Sequence, residues 1–156
     1  MPTPTGTRVP DLAVTTHDGR RTTLAGLAAG GPLVVFFYPK AFTAGCTAQA
    51  CHFRDLGAEF AELGASRVGV SRDDTDTQAR FVTEHEFDYP LIADPDGDVA
   101  KAFGAKRIGP VPSRRQTYVL DADLTVIEVI SDELRMDRHA DDALEALRRL
   151  RAEALD

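Results

Sequence analysis

Six consecutive residues, Leu33-Val34-Val35-Phe36-Phe37-Tyr38, carry no polar side chain apart from the final phenol. The run is too short for an independent helix. Its β-branched and aromatic content predicts a strand covered on both faces, the kind that lies at the centre of a sheet with helices on each side. A second short apolar run, Arg67–Ser71 (RVGVS), repeats the signal. Between them, from about Cys46 to Leu63, the residues Ala50, Phe53, Leu56 (or Gly57), Phe60 and Leu63 fall at helical spacing, and Gly64 stops the helix. A strand, a helix and a second buried strand in this order point to an α/β fold.

The remaining punctuation extends the pattern. Met1–Pro10 reads as an extended entry, Asp18-Gly19 as a turn between short β-like stretches, and Thr22–Ala29 as a short helix ended by Gly30-Gly31-Pro32. Asp73, Asp74 and Thr75 supply an N-cap for a helix over Thr75–His85. Tyr89–Ala93 is a short strand, followed by the turn Asp94–Gly97 and a helix over Asp98–Phe103 closed by Gly104. Lys106–Ser113 is a loop rich in Gly and Pro. Thr117–Asp121 and Leu124–Ile130 read as a hairpin with a tight acidic turn. Ala140–Leu155 places Ala143, Leu144, Leu147, Leu150 and Ala154 on one face, with acidic residues at its start and arginines toward its end. With no linker between the halves, residues 1–156 are expected to form a single domain, a mixed sheet with helices on both faces.

Charge narrows the partners. The net charge is −7, and the basic clusters, Arg114–Arg115 and Arg148–Arg149–Arg151 among them, are short. Neither a nucleic acid nor an anionic membrane is the expected partner. No apolar run approaches membrane-spanning length, and Met1–Pro10 lacks the basic start and apolar stretch of a secretory signal. The expected location is the cytoplasm. Thiols stay reduced there, so a disulfide between the chain's two cysteines would be catalytic rather than structural.

Those cysteines are Cys46 and Cys51. Cys46 falls at the predicted start of a helix, where free N–H groups and the positive dipole end favour a thiolate. A small buried hydrophobe would suit the same position. Five residues along an ideal helix separate Cα atoms by roughly 8.6 Å, whereas a disulfide needs about 4.4–6.8 Å. The pair cannot bond while both residues stay helical. A bond between them predicts a switch from a folded, reduced form to a locally unwound, oxidised one, in which Phe53 and Leu56 would also shift. Cys46, Cys51 and His52 could also serve a metal, but a Cys-x4-Cys pair lacks the second ligand pair that zinc usually takes. No metal or other cofactor is expected. The chain has no Cys-x-x-Cys redox motif.

The segment Pro39-Lys40-Ala41-Phe42-Thr43-Ala44-Gly45-Cys46 has the form Pro-x-x-x-Thr-x-x-Cys. It resembles the active-site signature of the peroxiredoxins. With Phe36-Phe37-Tyr38 before it and Thr47–Asp55 after it, the match is to the subfamily called PrxQ, or bacterioferritin comigratory protein, in which the second cysteine also lies five residues after the first. Lys101–Gly104 and Arg115–Asp121 fit later landmarks, so the resemblance covers nearly the whole chain. Ala44 departs from a frequent Pro and removes no reacting group. The resemblance implies a thioredoxin-like fold with N-terminal β additions. It also implies a nucleophilic (peroxidatic) role for Cys46, a resolving role for Cys51, and Thr43 and an arginine completing the site. The family places that arginine two residues before the Thr/Ser of the late strand, which selects Arg115. Strand alternation agrees, since 115 and 117 share a face and 114 does not. Pro39 would shield the site from water.

The activity implied is reduction of hydrogen peroxide or an organic hydroperoxide, through a Cys46 sulfenic acid that Cys51 closes to an intramolecular disulfide. Thioredoxin or a similar dithiol would reopen it, and a monomer suffices because the bridge lies within one chain. Lowering a thiol pKa from about 8.5 to about 6 raises the ionised fraction at pH 7 roughly 30-fold, or about 2 kcal/mol of barrier. The remainder must come from groups that hold the peroxide: the fork of Arg115 and the N–H groups of Gly45 and Cys46 as donors, and the hydroxyl of Thr43, able to accept from the peroxide and to donate to it or to the sulfur. Taken without the resemblance, Thr43 reads as a helix cap, Pro39 as a strand end and Arg115 as a solvated residue. His17, His85 and His139 read as surface residues, and His52 has no assigned role. Two rival functions fit the same fold: a thiol–disulfide oxidoreductase or redox sensor, and a non-enzymatic thioredoxin-like binding module.

Overall fold

The computed structural model of the chain describes residues 2–107 and 113–155. Most of the loop expected at Lys106–Ser113 therefore lies outside the described residues. In chain order the elements are β1 (Ala13–Thr16), β2 (Arg21–Thr23), α1 (Leu24–Ala28), β3 (Leu33–Phe37), α2 (Ala44–Asp55), α3 (Gly57–Glu62), β4 (Ser66–Ser71), α4 (Thr75–His85), β5 (Leu91–Ala93), α5 (Asp98–Phe103), β6 (Gln116–Leu120), β7 (Val126–Ser131) and α6 (Asp137–Leu155). The strands form one mixed sheet in the order β2-β1-β5-β4-β3-β6-β7. β3, β4 and β5 run parallel; β1–β2, β1–β5, β3–β6 and β6–β7 are antiparallel.

The apolar run is where double coverage requires it. Every residue of β3 is buried, as is Tyr38 beyond it. Val34, Phe36 and Tyr38 point into one core with Phe53 of α2, Phe60 of α3, Phe81 of α4 and Ala143, Leu144 and Leu147 of α6. Leu33, Val35 and Phe37 point into the other, with Leu24 and Ala28 of α1 and Val99, Ala100 and Phe103 of α5. The period of two that sends alternate side chains to opposite faces thus divides the helices between the two layers.

Several elements differ from the sequence reading. The helix expected from Cys46 to Leu63 begins two residues earlier and breaks at Leu56 (φ −94°, ψ 17°), giving α2 and α3. Apolar spacing runs straight through such a break and cannot reveal it. The helix expected over Thr22–Ala29 shortens to α1, because Thr22 and Thr23 pair with β1 and Thr23 caps α1 through its hydroxyl. Tyr89 stands before β5 rather than in it. Met1–Pro10 was read as an extended entry; within it Arg8 bridges to Thr125.

Gly69 sits inside β4 because two side chains meet over it. A Cβ there would lie 2.7 Å from the Phe36 ring and 2.7 Å from Leu91. Glycine within a strand marks such close approaches. Phe36 in turn stacks on Phe53 with centroids 4.1 Å apart and planes 7° from parallel. Gly69→Ala is expected to force that stack apart and cost about 1–3 kcal/mol, read as a lowered urea midpoint with an unchanged slope.

Candidate active site

The antiparallel pairing of β6 with β3 brings two distant stretches together. Phe36 pairs with Thr117, so Arg115, just before β6, arrives beside the chain leaving the end of β3. That exit segment, 38–43, is tied down from several sides. Tyr38 donates its phenol to Gln78 Oε1 at 2.5 Å, and Gln78 donates to the Ile92 carbonyl at 2.9 Å. Burial pushes the Tyr38 phenol far up, so it stays neutral. The backbone N–H of Ala41 donates to Asp73 Oδ2 at 2.8 Å, and Ser71 donates to the same oxygen at 2.5 Å. Phe42 takes the left-handed conformation (φ 67°), rare for a side chain of its size. Its ring is held by Phe81 at 5.1 Å and by the guanidinium of Arg80 at 5.9 Å.

Thr43 is the cap residue of α2, with extended backbone, but its hydroxyl makes no cap bond. It donates instead to the Lys40 carbonyl at 2.7 Å, on the exposed side of the segment. Pro39 is half-buried at the end of β3. The first α2 bond runs from the Thr47 N–H to the Thr43 carbonyl at 2.9 Å. The N–H groups of Gly45 and Cys46 precede it, in the turn where helices offer free donors.

Cys46 is fully buried and its sulfur is reduced. Arg115, 7% exposed, donates from Nη2 to Cys46 Sγ at 3.4 Å and from Nη1 to Gln49 Oε1 at 2.5 Å. Its neighbour Arg114 is exposed. Gly45 leaves room for this approach, since a Cβ would stand 3.3 Å from Arg115 Nη2 and 3.4 Å from Met136 Sδ. The Arg115 N–H is held by Glu133 Oε2 at 3.0 Å. Arg115 Nε and Gln49 Nε2 are buried donors without a hydrogen-bonding partner among the described residues. Cys51, on the same helix, is partly buried and free, 3.9 Å from Nδ1 of His85. Burial pushes its thiol up, Arg54 pulls it down, and Asp55 adds to the rise.

Three of these participants escaped sequence reasoning. Gln49 lies three residues after Cys46, so helical spacing was a usable signal. His85 touches Cys51 only through the packing of α4 on α2. His139 was read as a surface residue and is fully buried. It stands four residues before Ala143, on the apolar stripe of α6, which was the overlooked clue. Nδ1 of His139 meets Thr117 Oγ1 at 2.7 Å and Nε2 meets the Asp132 carbonyl at 2.8 Å. The carbonyl can only accept, so Nε2 carries the proton and Nδ1 accepts from the hydroxyl. His52, which received no role, pairs with Asp141 of α6 at 2.7 Å on the surface.

Burial holds the His139 pKa below its ordinary 6.5. As pH falls through 6.5 the unfolded chain takes up this proton first, so stability present above that value is lost as pH falls toward the folded pKa. The carboxylates held low, Asp18, Asp74, Asp88 and Asp132, act only below about 3.8. Urea midpoints between pH 7.5 and 5 should therefore fall more steeply for the wild type than for His139→Gln. Parallel slopes would refute the assignment.

Comparison with known proteins gives one answer. The AhpC/TSA family profile matches residues 5–129. A Mycobacterium tuberculosis (strain H37Rv) protein bearing the name peroxiredoxin is 50% identical over 151 residues, covering 95% of this chain and 98% of that one. The chloroplastic peroxiredoxin Q of Suaeda salsa is 35% identical over 147 residues, 93% of this chain and 68% of its own length. Among solved structures, peroxidoxin BcpB from Mycobacterium tuberculosis superposes with a TM-score of 0.90 at 50% identity, over 94% of this chain and 97% of that one. The bacterioferritin comigratory protein of Xanthomonas campestris, solved in work on its alkyl peroxide reduction, gives 0.83 at 30% identity over 94% and 99%. The sheet and its two helical layers are those of the thioredoxin-fold peroxiredoxins, and the chain belongs to the AhpC/TSA family as a thiol-dependent peroxidase of the peroxiredoxin Q type.

Proposed function

We propose that Cys46 is the peroxidatic nucleophile, Cys51 the resolving thiol, and Arg115 and Thr43 the groups that hold the peroxide. The observation that carries this reading is the donation of Arg115 Nη2 to a fully buried Cys46 Sγ at 3.4 Å, in the first turn of a helix. A permanent cation at the sulfur faces the charge that moves onto oxygen as the O–O bond breaks. The thiolate attacks one peroxide oxygen. The O–O bond cleaves, the departing oxygen takes a proton and leaves as water or an alcohol, and Cys46 becomes a sulfenic acid. Thr43, whose proton is directed to the Lys40 carbonyl, keeps its oxygen lone pairs to accept from the peroxide hydroxyl. Pro39 covers the pocket against water.

Cys51 then attacks the sulfenic sulfur. The S–O bond breaks, the S–S bond forms and water is lost. Both cysteines lie within α2, and helical residues five apart are too distant for a disulfide, so α2 unwinds to close the bridge. A dithiol protein of the thioredoxin type restores both thiols by exchange. The cycle runs within one chain as a monomer and a single domain, in the cytoplasm. Among the described residues no helix is long and apolar enough to cross a membrane.

Reduced protein mixed with one equivalent of hydrogen peroxide and quenched within a second by a thiol-blocking reagent should lose both free thiols and about 2 Da, with a Cys46–Cys51 bridge in the peptide map. Cys46→Ser should abolish peroxide consumption. Arg115→Ala should slow it about 10²–10³-fold, the range for removing one donor to a developing charge. Two thiols still blocked after exposure to both hydrogen peroxide and an organic hydroperoxide would sink the reading.

A further inference from the structure

His85 occupies the last turn of α4, just before the left-handed residue Glu86. Its ring turns toward α2, where Nδ1 lies 3.9 Å from Cys51 Sγ. Three aromatic rings fix its plane. Phe87 stacks on it at 5.7 Å and 21°, Phe81 meets it edge-on at 5.3 Å, and Phe42 stands 6.5 Å away. The His85 carbonyl accepts from Arg54 Nη1 at 2.8 Å, a second tie between α4 and α2 beside the same cysteine. The imidazole is thus a fixed group on a separate helix. It touches the sulfur that must move and, through Phe42 and Phe81, the segment that leads to Cys46.

We propose that His85 is the general base of the resolving step, taking the Cys51 proton on Nδ1 so that Cys51 attacks as a thiolate. This rests on the reading of Cys51 as the resolving residue. The step balances. The Cys51 S–H proton passes to Nδ1, the Cys51 sulfur bonds to the Cys46 sulfur, and the sulfenic S–O bond breaks. The released hydroxide takes a proton to leave as water. The two-electron oxidation carried by the Cys46 sulfur is then shared in the disulfide. Nδ1 is the accepting nitrogen, so Nε2 holds the ring proton beforehand.

The need for a base follows from the surroundings of Cys51. An ordinary thiol is only a few per cent ionised at neutral pH, and burial pushes this one further up. The charged groups about the pair are Arg54 and Asp55 on α2, Arg80 one turn earlier on α4 beside Phe42, Glu84 and Glu86 flanking His85, and Asp88 beyond Phe87. Arg54 can favour a thiolate once formed, but it cannot take the proton. Imidazole is the side chain suited to accepting a proton near neutrality, and a positioned base typically contributes about 10²–10⁴-fold.

Two measurements test this. In Cys46→Ser protein, the alkylation rate of Cys51 is followed from pH 5.5 to 9, with and without His85→Gln. In protein with both cysteines, a sulfenic-acid trap and rapid quench follow how fast the Cys46 sulfenic acid becomes the disulfide. His85→Gln should remove the acid-side limb of the alkylation profile. It should also lengthen the sulfenic acid's lifetime about 10²-fold, and added imidazole should restore part of the loss. His85→Phe keeps the ring packing without the acceptor and should show the same defect, which a purely structural role would not produce. Bridge closure at the wild-type rate and pH profile in both variants overturns the proposal. Absence of a Cys46–Cys51 bridge in the wild type would instead overturn the resolving role, while the Cys51 alkylation profile would still report on the His85 contact.

Discussion

A guanidinium carries its charge at every physiological pH, and Arg115 brings one into the protein interior. An unpaired buried cation costs several kcal/mol, so the surroundings must be built around it. They are. Gln49 Oε1 and Cys46 Sγ take the two η nitrogens, and Glu133 fixes the backbone N–H from the far side. The glycine at 45 lets the fork reach the first turn of α2. Nothing local in the sequence around residue 115 could arrange this. It depends on β6 pairing antiparallel with β3 in the register that sets Phe36 against Thr117. It depends equally on β3 being buried on both faces, so that its exit can bear only on structured neighbours. In our reading the sulfur gains its reactivity from this cation, which makes the strand register as much a part of the chemistry as the cysteine.

In our reading the same helix that presents Cys46 has to be held and also released. Its hold is strongest past the first turns. Phe53 is sandwiched between Phe36 and Phe60. The Phe53 carbonyl accepts from Arg67 at 2.6 Å, and Arg67 is itself clamped by both oxygens of Asp88 at 3.0 and 2.8 Å. Tyr89 donates to the Ala50 carbonyl at 2.6 Å. Each such hydrogen bond is worth about 1 kcal/mol net, and a buried phenylalanine about 1.5–3 kcal/mol. Freeing Cys51 and freeing Phe53 therefore differ greatly in cost. The expectation that Phe53 shifts with the switch runs against these anchors. The geometry favours unwinding that stops short of residue 53 and leaves the aromatic stack as a fixed end from which α2 can refold.

How much of this could be read in advance varied with the range of the interaction. β3, β4, α4 and α5 were legible because their signals are local: an apolar run, the Asp74 cap, the Gly104 stop. The break at Leu56 was not, since the buried stripe continues across it. Of the site, the Cys46 segment was readable as a motif, and Arg115 only through the family resemblance, with strand parity agreeing; on its own it read as a solvated residue, and the structure buries it. The partners across the sheet were not readable. Asp73 under Ala41, Glu133 under Arg115 and His85 beside Cys51 all join stretches whose proximity is set by topology alone. His139 illustrates a different limit. Its polarity argued for the surface, while its place on the α6 stripe argued for the core. The core won because Thr117 and the Asp132 carbonyl satisfy both ring nitrogens.

The two thiols share a helix but not an environment, and that inequality suits an ordered cycle. Cys46 is enclosed and faces a cation. Cys51 is partly exposed, and burial holds its thiol up. Were Cys51 readily ionised, it would be open to modification before any peroxide arrived, and in our reading the nucleophile would then lose its resolving partner. A resolving thiol kept protonated until the sulfenic acid exists avoids that loss, but only if its proton can be removed when needed. In our reading a thiol held up by partial burial and a base fixed on a neighbouring helix satisfy both demands, with His85 held against Phe81 and Phe87, which belong to the core beneath it.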